Sequence, residues 1–430
     1  MMRPIQGWTY GNKALVKDIR SLYNEGFTEE RYNSFVEDLN SSEGVKIDFR
    51  VCETPLFLSG ELTKTLEEAC DDIIKQLDTD EYRKFAEASI PAGLAVPNRE
   101  DHPVFLQIDF AICDDGKGGF IPKLIELQGF PSLYGFQVYY DEVFQRHHQL
   151  PENYTAFYSG LDKESYIELL KKTLLGDSDP ENVILLEIEP DKQKTLIDFV
   201  VTERYTGVKP VCITDVIKKG KKLFYKEGER EIQIDRIYNR VIYDELFRKD
   251  VKASFSFQEN LDVHWVGHPD WFFLISKYSL PYLKGPFVPE CHFLSDLNEY
   301  PADLENFVLK PLFSFAGLGV EVEVTKDLLD SKTDRHNYIL QRKIEYAPLI
   351  LTPEGYSKCE IRMMFLWNDK PVLVNNLTRF SKGKMMGVDF NKNKTWVGSA
   401  TAYHEVIDLC RAPPPPPPFA QIYRYKVQIP

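Results

Sequence analysis

The sequence predicts a mixed fold, α+β with an α/β portion, and three stretches predict it. The first hundred residues carry helical periodicity, with apolar residues at i, i+3 and i+4 over Thr28–Leu39 and Ser59–Leu77. From Val104 the pattern changes to two alternating runs around DDGKGG, the signature of a β-hairpin. From Asn182 a buried-strand run, VILLEIEP, is followed by an amphipathic segment over Lys192–Tyr205 and a second strand, PVCITDV. Strand, helix and strand of these lengths read as a small α/β unit with parallel strands. The chain has 430 residues, 43% of them apolar and 13% aromatic, enough for two or three domains with a sizeable core.

Each element has a local reason. Ser59 stands where an N-cap is needed for the second helix. In VFLQIDFAICDDGKGGFIPKLIELQGF, folding about Lys117 and Gly118 sets Asp109 opposite Glu126 and Gln107 opposite Gln128. Period 2 then puts those four on one face, and Leu106, Ile108, Phe110, Ile125 and Leu127 on the other. Facing carboxylates repel unless a cation sits between them, and Mg²⁺ is the usual one; a solvated polar face is the plainer account. The composition turns polar around 153–180, where a boundary is placed. The α/β unit lacks G-x-G-x-x-G and ends in a hairpin carrying Arg236, Arg240 and Tyr243. Arg240 and Tyr243 could fork and cap a substrate carboxylate, or form a surface ion pair.

Further on, Lys277 sits in an aromatic-rich helical stretch stopped by proline. Phe307–Val320, FVLKPLFSFAGLGV, delivers Lys310 to a loop bearing Gly317 and Gly319, and Val320-Glu-Val-Glu-Val follows. That reads as strand, loop, strand, with a lysine and N–H donors suited to a polyphosphate; an ordinary hairpin with a surface lysine competes. His264 and His268 have i, i+4 spacing without the partners a zinc site needs. Strand-like runs start at Asn337, Lys358 and Lys370, and a glycine-punctuated loop carries Arg379, Lys382 and Lys384. With Arg362 these form a basic cluster that an anionic ligand would explain. The tail, with six consecutive prolines, reads as a polyproline II spacer.

The net charge of −14 argues against nucleic acid or an anionic membrane as a general partner. Seven scattered cysteines without C-x-x-C fit a reducing compartment, and neither a signal-peptide core nor a long apolar run is present. The expected location is cytoplasmic.

In order and spacing, IDF…LIELQGFPSLYG, HPDWFFLISKYSLPYL and FVLKPLFSFAGLGV resemble the circularly permuted ATP-grasp enzymes, the group of eukaryotic-type glutathione synthetase and glutathionylspermidine synthase. The resemblance spans Val104 to Ser399. It implies a permuted ATP-grasp nucleotide-binding fold with an inserted Rossmann-like substrate domain. The divisions are then 1–150 (helices and metal-bearing hairpin), 151–180 (linker), 181–265 (substrate domain), 266–410 (nucleotide-binding part) and 411–430 (tail). It further implies an ATP-dependent carboxylate–amine ligase that uses Mg²⁺ and works through an acyl phosphate. Carried over by position, Asp109, Glu126 and Gln128 are the metal ligands. Lys277, Lys310, Gly317, Gly319, Gln341, Lys343 and Ile344 bind ATP, and Arg362 and Arg379 are catalytic. Arg240, Tyr243 and Ser132 hold a small carboxylate or amine substrate: an amino acid, peptide or polyamine. Three departures stand out. Phe315 and Ala316 occupy the loop where the family has Arg and a metal-binding Glu, Gln107 replaces an Arg, and Gln128 replaces an Asn. They keep open a non-catalytic ATP-binding or interaction protein on the same fold, and a homo-oligomer is compatible with either reading.

Overall fold

Single side chains decide where the first helices begin. Thr28 is extended and its hydroxyl accepts the Arg31 N–H at 3.2 Å, starting the helix Glu29–Ser41. Ser59 does the same for the Leu62 N–H at 3.2 Å, starting Gly60–Leu77. The second helix buries Leu62, Leu66, Ala69, Ile73 and Leu77 along one stripe and packs it on the strand Phe120–Gln128. The computed structural model describes residues 17–314, 318–383, 386, 391 and 393–406. Phe315, Ala316, Gly317, Lys384 and the proline-rich tail lie outside the described residues.

The hairpin Phe105–Asp114 and Phe120–Gln128 forms the edge of the central sheet. Its turn is closed by Asp115, whose carboxylate accepts the N–H groups of Lys117 at 2.7 Å and Gly119 at 2.8 Å. Gly116 and Gly118 take φ of +70° and +89°, which side chains rarely adopt. Asp109 faces Glu126 and Gln107 faces Gln128, as the alternation predicts. Between there and the turn the register slips, so that Phe110 faces Leu124. Ile125 is the extra residue of a bulge. The expectation that Ile125 joins the apolar row is therefore corrected: Leu124 and Leu127 fill the core and Ile125 is only half-buried.

The sheet continues from Phe105–Asp114 to Gly355–Trp367, then Pro371–Ser381, then Gly398–Ala400, all antiparallel, with Ile350–Thr352 beside Gly355–Trp367. One face, with Ile108, Phe110, Ile361, Met363 and Phe380, packs into the main core. The other carries Gln107, Asp109, Glu360, Arg362 and Arg379, because Arg362 lies directly opposite Asp109 and Glu360 opposite Arg379.

The second sheet is parallel, in the order His264–Val266, Arg236–Asn239, Val183–Glu187, Lys209–Cys212. The helix Leu196–Thr206 makes the crossover between the last two strands. A third sheet has the order Cys291–Phe293, Tyr338–Arg342, Phe307–Pro311. Here the strand–loop–strand expectation needs correction. Phe307–Pro311 pairs with Tyr338–Arg342, and the Val320 run contributes one bridge, Leu309 with Glu321. Gly319 at φ +72° supports that return, and a Cβ there would lie 2.9 Å from Pro311. The several sheets and helices make the mixed class expected from the sequence. Every described cysteine is a free thiol, and among the described residues no helix is long and apolar enough to cross a membrane.

Replacing Ser59 by Ala removes one helix cap and leaves its donors to water. Urea unfolding is expected to show a loss of about 1 kcal/mol with an unchanged slope.

Candidate functional site

On the polar face of the central sheet, Arg362 forks onto Asp109 through Nε (2.6 Å) and Nη2 (2.7 Å). Arg379 adds a contact from Nη2 to the second Asp109 oxygen at 2.8 Å and to Glu360 at 3.0 Å. Tyr346 donates its hydroxyl to the other Glu360 oxygen. Asp109 is 1% exposed and Arg362 7%, so both charges are held away from water. Burial pushes the Asp109 carboxyl up, yet Arg362 and then Arg379 outweigh it and hold it below the usual carboxylate range. For Arg379, burial works against its charge, and Glu360 and Asp109 overturn that and hold it above the usual value.

Two lysines reach the same face from elsewhere. Lys277 lies in a helical turn, Lys277–Ser279, whose start is fixed by a reciprocal Ser276–Ser279 capping box. Its ammonium is 3.4 Å from Glu126 and donates to the Ser314 carbonyl. Lys310, on the strand Phe307–Pro311, donates to the carbonyl of bulge residue Ile125 at 3.3 Å. Burial lowers its ammonium pKa; Glu126 raises it in opposition, and Lys277 lowers it further. Gln341, buried beside them, donates to the Leu124 carbonyl at 3.4 Å, and its own carbonyl oxygen has no partner. After Arg342 the chain leaves the strand: the Lys343 N–H donates to Asn306 at 2.7 Å and Ile344 is half-buried. A narrow cleft of about 20 Å³ runs between Glu126, Gln128, Phe130 and Lys277, room for a single water.

The Arg240 site lies behind Phe130. Arg240 ends the strand Arg236–Asn239, its N–H bonded to the Leu186 carbonyl at 2.9 Å. Its guanidinium lies 5.1 Å from the Phe130 ring centre and 5.5 Å from Phe199. It is 5% exposed, and its Nε and Nη1 have no hydrogen-bond partner. Its neighbours by charge are Glu187, at the end of the adjacent strand, and Asp198. Burial pushes the Glu187 carboxyl up to about 7, partly offset by Arg240. Asp198 is raised by burial too, although Arg240 and the Phe136 and Leu133 N–H groups (2.9 and 3.2 Å) oppose this. In a parallel sheet, ligands bind at the carboxyl ends where strand order reverses. Val183–Glu187 and Arg236–Asn239 meet at that point.

The structure thus gathers Asp109, Glu126, Arg362, Arg379, Lys277 and Lys310 in one place, with Gln128 and Gln341 at its walls. Tyr243 does not join Arg240; its hydroxyl donates to the Leu94 carbonyl at 3.2 Å and accepts from Gln258. Ser132 offers its carbonyl to Gln107 at 2.8 Å. Gly317 and Lys384 lie outside the described residues. Sequence reasoning missed Glu187, Asp198 and Tyr346. An acid ending a continuous apolar run, as Glu187 does, is the one signal that could have found any of them.

No family model and no curated protein sequence matches the chain. Among solved structures, a glutathione synthetase-like effector from Globodera pallida in its apo form superposes on 88% of this chain and 96% of its own, with 11% identity and a TM-score of 0.54. The chain therefore shares the fold of that protein. A protein assigned as a γ-glutamylcysteine synthetase from Methylobacillus flagellatus covers 74% of this chain and 83% of its own at 11% identity, with a TM-score of only 0.33.

Asp109→Asn leaves a buried guanidinium without its counter-charge. We expect a loss of about 3–5 kcal/mol at neutral pH, read by denaturant unfolding. Because the folded Asp109 pKa is depressed, wild-type stability from this group exists above the unfolded value of about 3.9 and fades below it. The gap between wild type and Asp109→Asn should accordingly close as pH falls below about 4.

Proposed function

We propose that this chain is an ATP-dependent carboxylate–amine ligase on a permuted ATP-grasp fold. The observation carrying this reading is that Lys277 and Lys310, from separate segments, converge beside Glu126 and the Arg362–Asp109–Arg379 network. Two lysines and two arginines on one face suit a triphosphate and the charge that develops on its transferring phosphoryl.

In this reading Lys277 and Lys310 hold the β- and γ-phosphates, and the segment Gln341–Ile344 carries the adenine. Gly319 belongs to the loop over the phosphates. A substrate carboxylate oxygen attacks the γ-phosphorus and ADP leaves, giving an acyl phosphate. Arg362 and Arg379 offset the negative charge of that transfer. The amine nitrogen then attacks the acyl carbon, phosphate leaves and an amide forms. Arg240, with two open N–H donors, holds the carboxylate of one substrate; acid and amine are drawn from amino acids, peptides and polyamines. The 20 Å³ cleft admits a triphosphate only if the lysine-bearing sheet moves away from the hairpin, a hinge-type opening that would reverse once the ligand is bound.

The donor set bears on Mg²⁺. Both Asp109 oxygens are taken by arginines, and among the described residues no three acid, histidine or cysteine side chains converge. Glu126 retains a carboxylate oxygen beyond its long contact to Lys277, and Gln128 lies on the same face. Those two would hold the ion together with phosphate oxygens and water, where it would supply further charge neutralisation. Asp109 is then the group that aims Arg362 and Arg379. That pairing, with Ala316 where relatives of the resembled group carry an acid, also supports a second reading, in which the chain binds ATP without turnover.

The deciding experiment offers Mg·ATP with amino acids, peptides and polyamines and looks by mass spectrometry for ADP together with a condensed product. ADP-free mixtures across the panel would favour the second reading. Lys310→Ala and Lys277→Ala are each expected to weaken ATP binding about a hundredfold, as loss of a phosphate-paired charge does. Wild-type affinity in either would remove the nucleotide site from this face. Arg240→Ala should keep ATP affinity and lose acceptor-dependent turnover; an equal loss of ATP binding would assign Arg240 to the nucleotide instead.

A further inference from the structure

A larger cleft, about 150 Å³, lies on the far side of the helical turn Trp271–Leu274, away from the charged network. A cavity of this volume takes a benzene-sized guest. Its apolar wall is formed by Leu77, Leu274 and Trp367, on whose ring His102 stacks with centroids 5.0 Å apart and planes at 9°. Trp271 also lines it; this side chain is 4% exposed and its indole N–H is buried with no acceptor.

The rim carries charges of both signs. Arg83 is tied to Asp78 and Asp80, each at 2.9 Å, and Arg99 to Asp270 at 2.9 Å and to Glu87. Next to Arg99 in the chain, Glu100 has one oxygen 3.5 Å from His264 and the other buried without a hydrogen bond. Asp101, exposed beside it, has no ion pair among the described residues. Burial raises the Glu100 carboxyl, and the nearby His102 and Arg236 oppose that rise in part.

We propose that this cleft binds a free α-amino acid with an apolar side chain, its ammonium on Glu100 and Asp101 and its carboxylate on the Trp271 N–H and the outer edges of Arg83 and Arg99. A cation alone would leave the indole N–H and both guanidinium edges unused. An anion alone would meet Glu100 and Asp101. A zwitterion answers both, and the Trp271, Trp367 and Leu274 surfaces take an aliphatic side chain of leucine size. The site is independent of the ligase reading and separate from Arg240. It leans on the turn that ends three residues before Lys277, so occupancy braces the segment carrying that lysine.

Calorimetric titration of the full chain tests it, with L-leucine, isoamylamine (no carboxylate) and 4-methylpentanoate (no ammonium). Leucine is expected to bind at least tenfold more tightly than either analogue. Glu100→Gln and Arg83→Gln should each weaken it about tenfold, as loss of a charged hydrogen bond does, while unfolding curves confirm that the variants are folded. Trp271→Phe, which keeps the ring surface and removes the donor, should weaken leucine and leave isoamylamine unchanged. Binding must survive Arg240→Ala and Lys310→Ala. Loss in Arg240→Ala with retention in Glu100→Gln would place the amino acid in the other site and overturn the proposal. Equal binding of isoamylamine would overturn the zwitterion, and no heat with leucine would overturn the site.

Discussion

The bidentate pair between Arg362 and Asp109 is the constraint on which this molecule turns. It joins the two central strands at their midpoint, through side chains that are 7% and 1% exposed. A buried carboxylate is tolerable only when its charge is answered with good geometry, and two parallel N–H···O bonds provide it. Once Asp109 is set, the register of the neighbouring strand places Glu360 beside Arg379, and the second arginine closes on both acids. The polar face is thereby a connected array of charges on a rigid sheet, with an apolar core packed beneath it.

Rigidity on that side contrasts with what approaches it. Lys277 and Lys310 come from a short turn and a three-stranded sheet, and each spends its hydrogen bonds on carbonyls of the facing segments. The Ile125 bulge supplies one of those carbonyls: its disruption of the ladder leaves an acceptor pointing off the sheet. The same bulge keeps Leu124 and Leu127 both in the core. One extra residue in a strand thus serves packing and aims a lysine.

Phe130 links the two halves of the proposed chemistry, since it borders the cleft at Glu126 and lies under the Arg240 guanidinium. Asp198 works from the other side. Its carboxylate receives the N–H groups of Leu133 and Phe136, at the start of the helix Tyr134–His147, while its charge faces Arg240. The parallel sheet and the hairpin sheet are therefore tied through one acid and one aromatic ring, and a ligand gripped by Arg240 would sit at that joint.

By itself the sequence determined what depends on near neighbours. Ser59 as a cap, the DDGKGG turn and the facing of Asp109 and Glu126 all follow from period and turn chemistry over a few residues. So do the two parallel strands joined by a crossover helix. Tertiary structure decided whatever depends on distant partners. Arg362 lies 253 residues from Asp109, and nothing local says that an arginine, rather than a cation from solution, answers that acid. The partner of Phe307–Pro311 was likewise open: the nearby Val320 run alternates well, but Tyr338–Arg342 offers a longer ladder and wins. Tyr243 has the spacing to accompany Arg240, yet an aromatic cluster with Phe257, Phe272 and Phe273 draws its ring into the core. Local pattern sets which face a residue occupies, and the packing of remote segments sets what it meets there.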